Sequence, residues 1–381
     1  MQRLETIVHS TIKEANEKRV LNTAILLRKF TKNELVRQSG VSMTTVSKIV
    51  DEYTTRGMLK VIGQGALITA GRKPSLYVFV SDSVYSVGVS FRRGVLEFII
   101  VDLDLNTVFE RDCEYKMEEI ANHGDHFSVI VSKYIQESGI DANKIAGIGF
   151  TFPWLEQSDF DALAKSVVYQ TEAFAYEGRN IPVIFENRAN AAIFAEMRAR
   201  NIAEGNGVYV SVADGIDIGV LINGNVFHSR SVGAKTLAHM TVEVDGRPCR
   251  CGGKGCWDSY VSIPALVEDC QAVVGKKVKD FTDVIKLCDA GEAKVVVVCE
   301  SYSKMLAIGI ANIILAYAPE HLIIGGKLMR HAEKLLPLLK QQLSPEDFAK
   351  VSFSKLDQKT PLIGAAMLPI QKVLYMGQMT I

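Results

Sequence analysis

The eight residues "CRCGGKGC", Cys249 to Cys256, hold three of the seven cysteines in this 381-residue chain. His239 stands nine intervening residues upstream. One imidazole and three thiolates complete a closed tetrahedral set for Zn2+. His239, Cys249, Cys251 and Cys256 are therefore read as ligands of a structural zinc, one per chain. All four positions are filled by protein, so no open position remains for a catalytic water. Gly252, Gly253 and Gly255 let the backbone turn tightly enough for the sulfurs to converge. The other reading is three reduced cysteines beside a surface histidine. Cys113, Cys270, Cys288 and Cys299 are scattered through apolar or helical stretches and read as small core residues.

No apolar run reaches the ~18 residues of a membrane span, and "VLNTAILL" is too short for a signal peptide of the usual form. A cytoplasmic protein with no membrane partner is expected, and there clustered thiols point to metal before disulfide. The hydrophobic and charged fractions, 48% and 23%, are those of a globular protein. Net charge is zero but unevenly placed. Residues 1–80 carry 13 basic and 6 acidic side chains, and the remainder 30 and 37. A basic head on an acidic body suits a polyanion partner at the head.

That head has sharp punctuation. Thr31 followed by Glu34 forms a capping box that starts a helix, and Gly40 supplies a left-handed stop. Ser42 caps a second helix, in which Val46, Ile49, Val50 and Tyr53 face inward. Thr44, Thr45, Ser47 and Lys48 face out. This is helix-turn-helix spacing. Small hydroxyls at the second helix's start suit phosphates and base edges in a major groove. "GMLKVIGQGALITAGRKPSLYVFV" reads as a β-hairpin wing with Arg72 and Lys73 on its flank. A helix over roughly 18–30 packs underneath, and residues 1–16 form an extra helix. A double-stranded DNA operator is the expected partner, through Ser42, Thr44, Thr45, Ser47, Lys48, Arg72 and Lys73. The alternative is a small helical domain for protein contact.

From Val84 strand-like runs alternate with turns and helices, which suggests a two-lobed α/β body. "YSKMLAIGIANIILAYAPEHLIIGG" reads as a long buried helix entering a strand and a glycine turn.

In this order the head, "GIGFTFPWLE", "ENRANAA", "DGIDIGVLINGNVF", the His/Cys3 loop, "GIANIILAYAPEHLIIGG" and "LIGAAMLPIQKVL" resemble the ROK family, named for repressors, open reading frames and sugar kinases. The resemblance spans essentially the whole chain. It implies an actin-like (ribonuclease H-like) two-lobed fold with a sugar or ATP cleft. It also implies that long, helix-headed members are sugar-responsive repressors, usually dimers or tetramers.

Departures from the kinase pattern separate the branches. Where kinases carry Asp-Gly-Gly-Thr, this chain reads "GVSFRRGVLEF", with Phe91, Arg92 and Arg93. A phosphate loop needs small residues for close backbone approach. In the second phosphate loop Asp214 and Asp217 add negative charge. The kinases' catalytic aspartate is Arg188 here, and a guanidinium cannot accept a hydroxyl proton. On the sugar side Trp154 replaces glycine, Thr236 replaces glutamate, and Asp258 shortens another glutamate. Trp154, Asn187, Arg188, Thr236, His239 and Asp258 remain candidate ligand contacts. Arg188, with Arg92 and Arg93, either pairs with an acidic ligand or pairs internally with Glu186 or Asp214 and plugs the old active site.

The expectation is thus a winged helix-turn-helix at 1–80, a first α/β lobe at 81–186 plus 363–381, and a second lobe at 187–362 carrying the zinc and an oligomerisation surface. The function expected is a transcriptional repressor of sugar-utilisation genes, a homodimer or homotetramer, whose degenerate kinase-like cleft senses a sugar or acidic sugar derivative. The alternatives are a repressor with a plugged cleft and, less favoured, an ATP-dependent sugar kinase. No ATP and no catalytic residue are expected.

Overall fold

The structure, a computed structural model, describes residues 2–65, 73–92, 94–115, 124–152, 173–200, 202, 205–227, 237–275, 278–356 and 359–375. Arg72, Arg93, Trp154 and Thr236 lie outside the described residues. The chain divides into two compact units. One holds 1–151, 159–186 and 365–381, and the other 152–158 and 187–364.

The first unit begins with α1 (Gln2–Leu27), β1 (Lys29–Phe30), α2 (Lys32–Ser39), α3 (Met43–Thr55), β2 (Leu59–Gln64) and β3 (Ser75–Phe79). Both helix starts follow the sequence signals. Thr31 and Glu34 exchange capping-box hydrogen bonds, and Gly40 ends α2 at φ 67°. Ser42 caps α3, whose buried residues are Val46, Ile49, Val50 and Tyr53. The helix expected over 18–30 differs in both bounds. It is continuous from Gln2, since no Gly or Pro interrupts residues 1–27, and it stops where Arg28 turns left-handed at φ 59°. Phe30 belongs to a strand instead, stacked on Tyr77 with centroids 6.1 Å apart. β2 and β3 pair antiparallel, with β1 on the far side of β3.

The rest of this unit is a six-stranded sheet. Its strands are β4 (Tyr85–Arg92), β5 (Val95–Asp102), β6 (Thr107–Glu114), β7 (Ile145–Phe152), β8 (Ala173–Tyr176) and β9 (Arg179–Asn187), and α4 (Gly124–Ser138) lies between β6 and β7 in the chain. The order is β6-β5-β4-β7-β9-β8. Phe91 turns inward and packs on Tyr115, 6.0 Å between centroids. The buried ring adds apolar packing to a strand whose register is set by its pairing with β5 and β7.

The second unit contains α5 (Arg188–Ala199), β10 (Gly207–Val212), β11 (Ile216–Ile222), β12 (Asn225–Val226), α6 (Asp258–Val261), α7 (Ile263–Val274), α8 (Phe281–Asp289), α9 (Ala293–Tyr317), β13 (His321–Gly325), α10 (Ala332–Gln342), α11 (Pro345–Lys350), β14 (Val351–Phe353) and the start of α12 (Thr360–Tyr375). Its sheet order is β12-β11-β10-β13-β14. Each large sheet thus begins as an antiparallel three-strand meander, β4 to β6 and β10 to β12, and adds a parallel strand, β7 or β13, beside the meander's first strand. The same strand order occurs twice in one chain.

The second sheet is covered on both faces. Helices α6 to α9 pack against one, and the alanine-rich α5 covers the other through Ala189, Ala192, Ile193 and Met197. Gly219 makes that approach close, because a Cβ there would meet the Ala189 carbonyl oxygen at 2.1 Å. α9 is long and apolar enough to cross a membrane by length and composition, but half of that window is buried as the core helix of this unit. Its buried stripe runs through Val295, Cys299, Tyr302, Leu306, Ile310 and Ile313. Cys270 is buried too, whereas Cys113 and Cys288 are only half-buried.

Candidate functional site

Three places in the described residues gather chemistry. The first is the loop before α6. His239 ends a short 3-10 turn, and isolated bridges pair Thr241 with Cys256 and Pro248 with Lys254. Gly252 and Gly255 adopt φ 80° and 70°, and a Cβ on Gly255 would lie 1.7 Å from the Glu243 carbonyl oxygen. These turns bring the donor atoms of His239, Cys249, Cys251 and Cys256 all within 4.8 Å of one another. The Cys249 Sγ to His239 Nδ1 distance is 3.4 Å, and Cys251 Sγ to Cys256 Sγ is 3.6 Å. Zinc bonds of ~2.0–2.3 Å in a tetrahedron require donor separations of roughly 3.5–3.8 Å. The donor set can hold a metal ion. Burial, then the neighbouring thiols Cys251 and Cys249, push the Cys256 thiol up to about 12. A bound cation reverses that preference, since coordination deprotonates a thiol. Next in the chain, Trp257 is fully buried and donates its indole N–H to the Met305 carbonyl at 2.9 Å. It pins the loop to α9.

The second place is the outer face of α3. Ser42, Thr44 and Lys48 are exposed, and Thr45 and Ser47 half-buried. Ser42 accepts the Thr45 N–H at 3.3 Å, so its hydroxyl caps the helix as well as facing outward. Lys73 is exposed at the start of the segment leading into β3. From below, the Tyr53 hydroxyl donates to Glu17 at 2.9 Å, tying α3 to α1. Burial, reinforced by Glu17, raises the Tyr53 phenol far above its ordinary value. Arg56 covers the same ring, 4.8 Å from its centroid. The Glu17 tie was invisible in the sequence because its partners are 36 residues apart.

The third place is the start of α5, facing the turn between β10 and β11. Asn187 caps α5, accepting the Ala189 and Asn190 N–H groups at 2.7 and 3.4 Å. Arg188 is the first residue of that helix. Asp258 is buried, accepts the Ile216 N–H at 2.8 Å and meets Arg250 Nη2 at 3.3 Å. Burial, with Asp258 adding, raises the half-buried Asp217 carboxyl, while Arg188 and Arg250 pull it down. Asp214 is held by Lys327, both carboxylate oxygens at 2.8 Å. Each acid of this turn therefore has a cation beside it. Sequence reasoning found the acids and Arg188. It missed Arg250 and Lys327, which lie 35 and 113 residues from Gly215 and Asp214 respectively.

Two mixed sheets that share their first four strand positions, with a four-donor loop in the second unit, define an α/β protein of two units. The ROK family model matches residues 175–372, more than half of the chain, and the protein belongs to that family. The xylose repressor of Bacillus subtilis (strain 168) is 27% identical over 380 residues, covering 96% of this chain and 97% of that one. A crystal structure of a ROK family transcriptional regulator, a homologue of the Escherichia coli MLC protein, has the same fold. Its TM-score is 0.74 at 19% identity, over 96% of this chain and 97% of that one. The ROK hexokinase of Thermus thermophilus matches at TM-score 0.62 and 21% identity. It is covered over 98% of its length by only 74% of this chain.

Proposed function

We propose that this protein is a sequence-specific, DNA-binding transcriptional repressor of sugar-utilisation genes, with an effector site on its second unit. Residues 1–80 form a winged helix-turn-helix. α2 and α3 are the helix pair, α3 lies in the major groove, and β2 and β3 are the wing. The body is actin-like, with lobes at 81–186 plus 363–381 and at 187–362. The observation that carries the reading is α3 itself. It is a helix capped by Ser42 that buries Val46, Ile49, Val50 and Tyr53 and offers Thr44, Thr45, Ser47 and Lys48 on its other side. The full-length likeness to a repressor supports it, as does the excess of positive charge over residues 1–80.

The test is operator binding by fluorescence anisotropy. Affinity is expected to fall steeply with salt, because each neutralised phosphate releases counterions. Lys48→Ala and Lys73→Ala are expected to weaken binding and flatten the salt slope. Binding that ignores both salt and these substitutions would sink the assignment of this face.

His239, Cys249, Cys251 and Cys256 hold one structural Zn2+ per chain. The zinc fixes the loop that carries Arg250 and Asp258 and supplies no reactive position. The protein does not transfer phosphoryl groups, because Arg188 stands where a base is needed and has no lone pair to accept a proton. No ATP is required for its action. A homodimer or homotetramer follows from helix-turn-helix readers binding paired half-sites.

A second reading, a repressor whose site senses nothing, is favoured by one observation. Asp258 already accepts the Ile216 N–H and pairs with Arg250 Nη2. Thermal-shift screening separates the two, since a ligand that binds the native state raises its stability.

A further inference from the structure

α3 buries Val46, Ile49, Val50 and Tyr53 and leaves its remaining apolar side chain, Met43, 42% exposed. Met43 is the first residue of the helix. Cα–Cβ bonds tilt toward a helix's N-terminus, and a recognition helix turns that end to the bases. The hydroxyls around Met43 are largely engaged. Ser42 Oγ accepts the Thr45 N–H at 3.3 Å and lies 3.0 Å from Thr45 Oγ1. Ser47, one turn on, donates to Met43 Sδ at 3.7 Å, which places the thioether beside it on the outer face. Further along the helix the exposed acid Asp51 is paired with Lys32 at 2.6 Å, which tempers its repulsion of a polyanion.

We propose that Met43 is a specificity-determining residue that reads the C5-methyl group of a thymine in the major groove of the operator. This rests on the repressor reading above.

Three arguments carry it. The first is the chemistry of the groove. Base edges there present donors and acceptors, and among the four bases thymine alone adds a methyl group. An exposed thioether at the leading end of α3 therefore has one apolar partner to meet. The second is the state of the hydroxyls. Ser42 and Thr45 hold each other and the start of the helix, so turning either to a base edge forfeits a capping bond. Met43 gives up only contact with water and one weak bond to sulfur. The third is the division of labour at a DNA surface. The positive charge of residues 1–80 draws phosphates, and phosphate contacts carry no sequence information. Discrimination must come from side chains that touch bases, and an unbranched, polarisable methionine adapts its shape to such a contact.

The experiment uses the full chain and the duplex it selects from a random pool. Each thymine of that duplex is replaced in turn by deoxyuridine, which removes the methyl group and keeps the pairing. Wild-type protein is expected to lose about fourfold in affinity per half-site at one symmetry-related position, the worth of a single buried methyl. Met43→Ala should bind the thymine duplex more weakly by a similar factor and no longer distinguish thymine from deoxyuridine at that position. Met43→Leu, which keeps the apolar volume, should retain the distinction. Melting curves are expected to match wild type for both variants, since the side chain is not part of the core. Wild-type protein indifferent to every deoxyuridine overturns the contact, as does a folded Met43→Ala that keeps the full discrimination. Enrichment of no motif from the pool overturns the repressor reading instead.

Discussion

Glu196 has no exposed surface, yet it carries a carboxylate in the middle of α5. It accepts the Ser354 hydroxyl, the Lys355 N–H at 3.0 Å and the Leu356 N–H at 3.2 Å, and pairs with Arg200 one turn on. One buried charge thus organises the backbone between β14 and α12. Replacing it with alanine leaves two amides without that acceptor and removes the anion beside Arg200, whose Nη2 still donates to the Phe353 carbonyl at 2.7 Å. Glu196→Ala is expected to destabilise the second unit by about 3–5 kcal/mol, read by urea unfolding. An unchanged midpoint would show that water substitutes for the carboxylate. A different residue, Gly309, tests packing. A Cβ there would lie 2.0 Å from the Trp257 ring, and that ring is fully buried. Gly309→Ala should cost about 1–3 kcal/mol by overpacking, visible in the same measurement.

At this scale the sequence was informative about exclusion and less so about partnership. Arg188 can be recognised as unfit for a base from its chemistry alone. Its electrostatic neighbour Asp217 is 29 positions away, and Arg250 reaches Asp258 only because the loop folds back over Gly215. No local pattern encodes such a meeting. Asn187 was expected to contact ligand, and its side-chain oxygen is engaged in capping α5, a role its place at a strand-to-helix turn also suits.

Elements with strong end signals were legible. The α2 capping box, the Gly40 stop and the Ser42 cap all stand where the residues put them. Thr31→Ala should therefore cost about 0.5–2 kcal/mol, measured as a lowered melting temperature of the head's unfolding transition. No change would mean that α2 is held by packing alone. α1 is the converse case: it has no internal breaker and its end depends on one left-handed residue, Arg28. The metal loop belongs to this scale too. Its cysteine spacing was evident, and its glycines act unequally: 252 and 255 are left-handed, whereas 253 is not. Purified protein is expected to contain one zinc per chain by elemental analysis. Cys251→Ser should lose it and lower the melting temperature, because metal binding at a structural site is linked to folding. Full stability without metal would contradict a structural role.

Across the whole molecule, the repeated strand order is the feature that sequence reading did not reach. β4 to β6 and β10 to β12 share no obvious residue pattern, and only the pairing of β7 and β13 beside the first strand of each meander reveals the repetition. Pairing between distant strands is set by tertiary packing rather than local propensity. Charge, by contrast, was legible at this scale, with a basic head and a compensating acidic body.

The central claim is that the head reads a particular DNA sequence. The most direct measurement is selection of bound duplexes from a random pool by the full-length protein, followed by affinities for the selected and scrambled sites at physiological salt. A paired, inverted half-site motif is expected, bound about 10³-fold or more tighter than scrambled DNA, with Lys48→Ala weakening the selected site. Enrichment of no motif, with equal affinity for every duplex, would contradict the account.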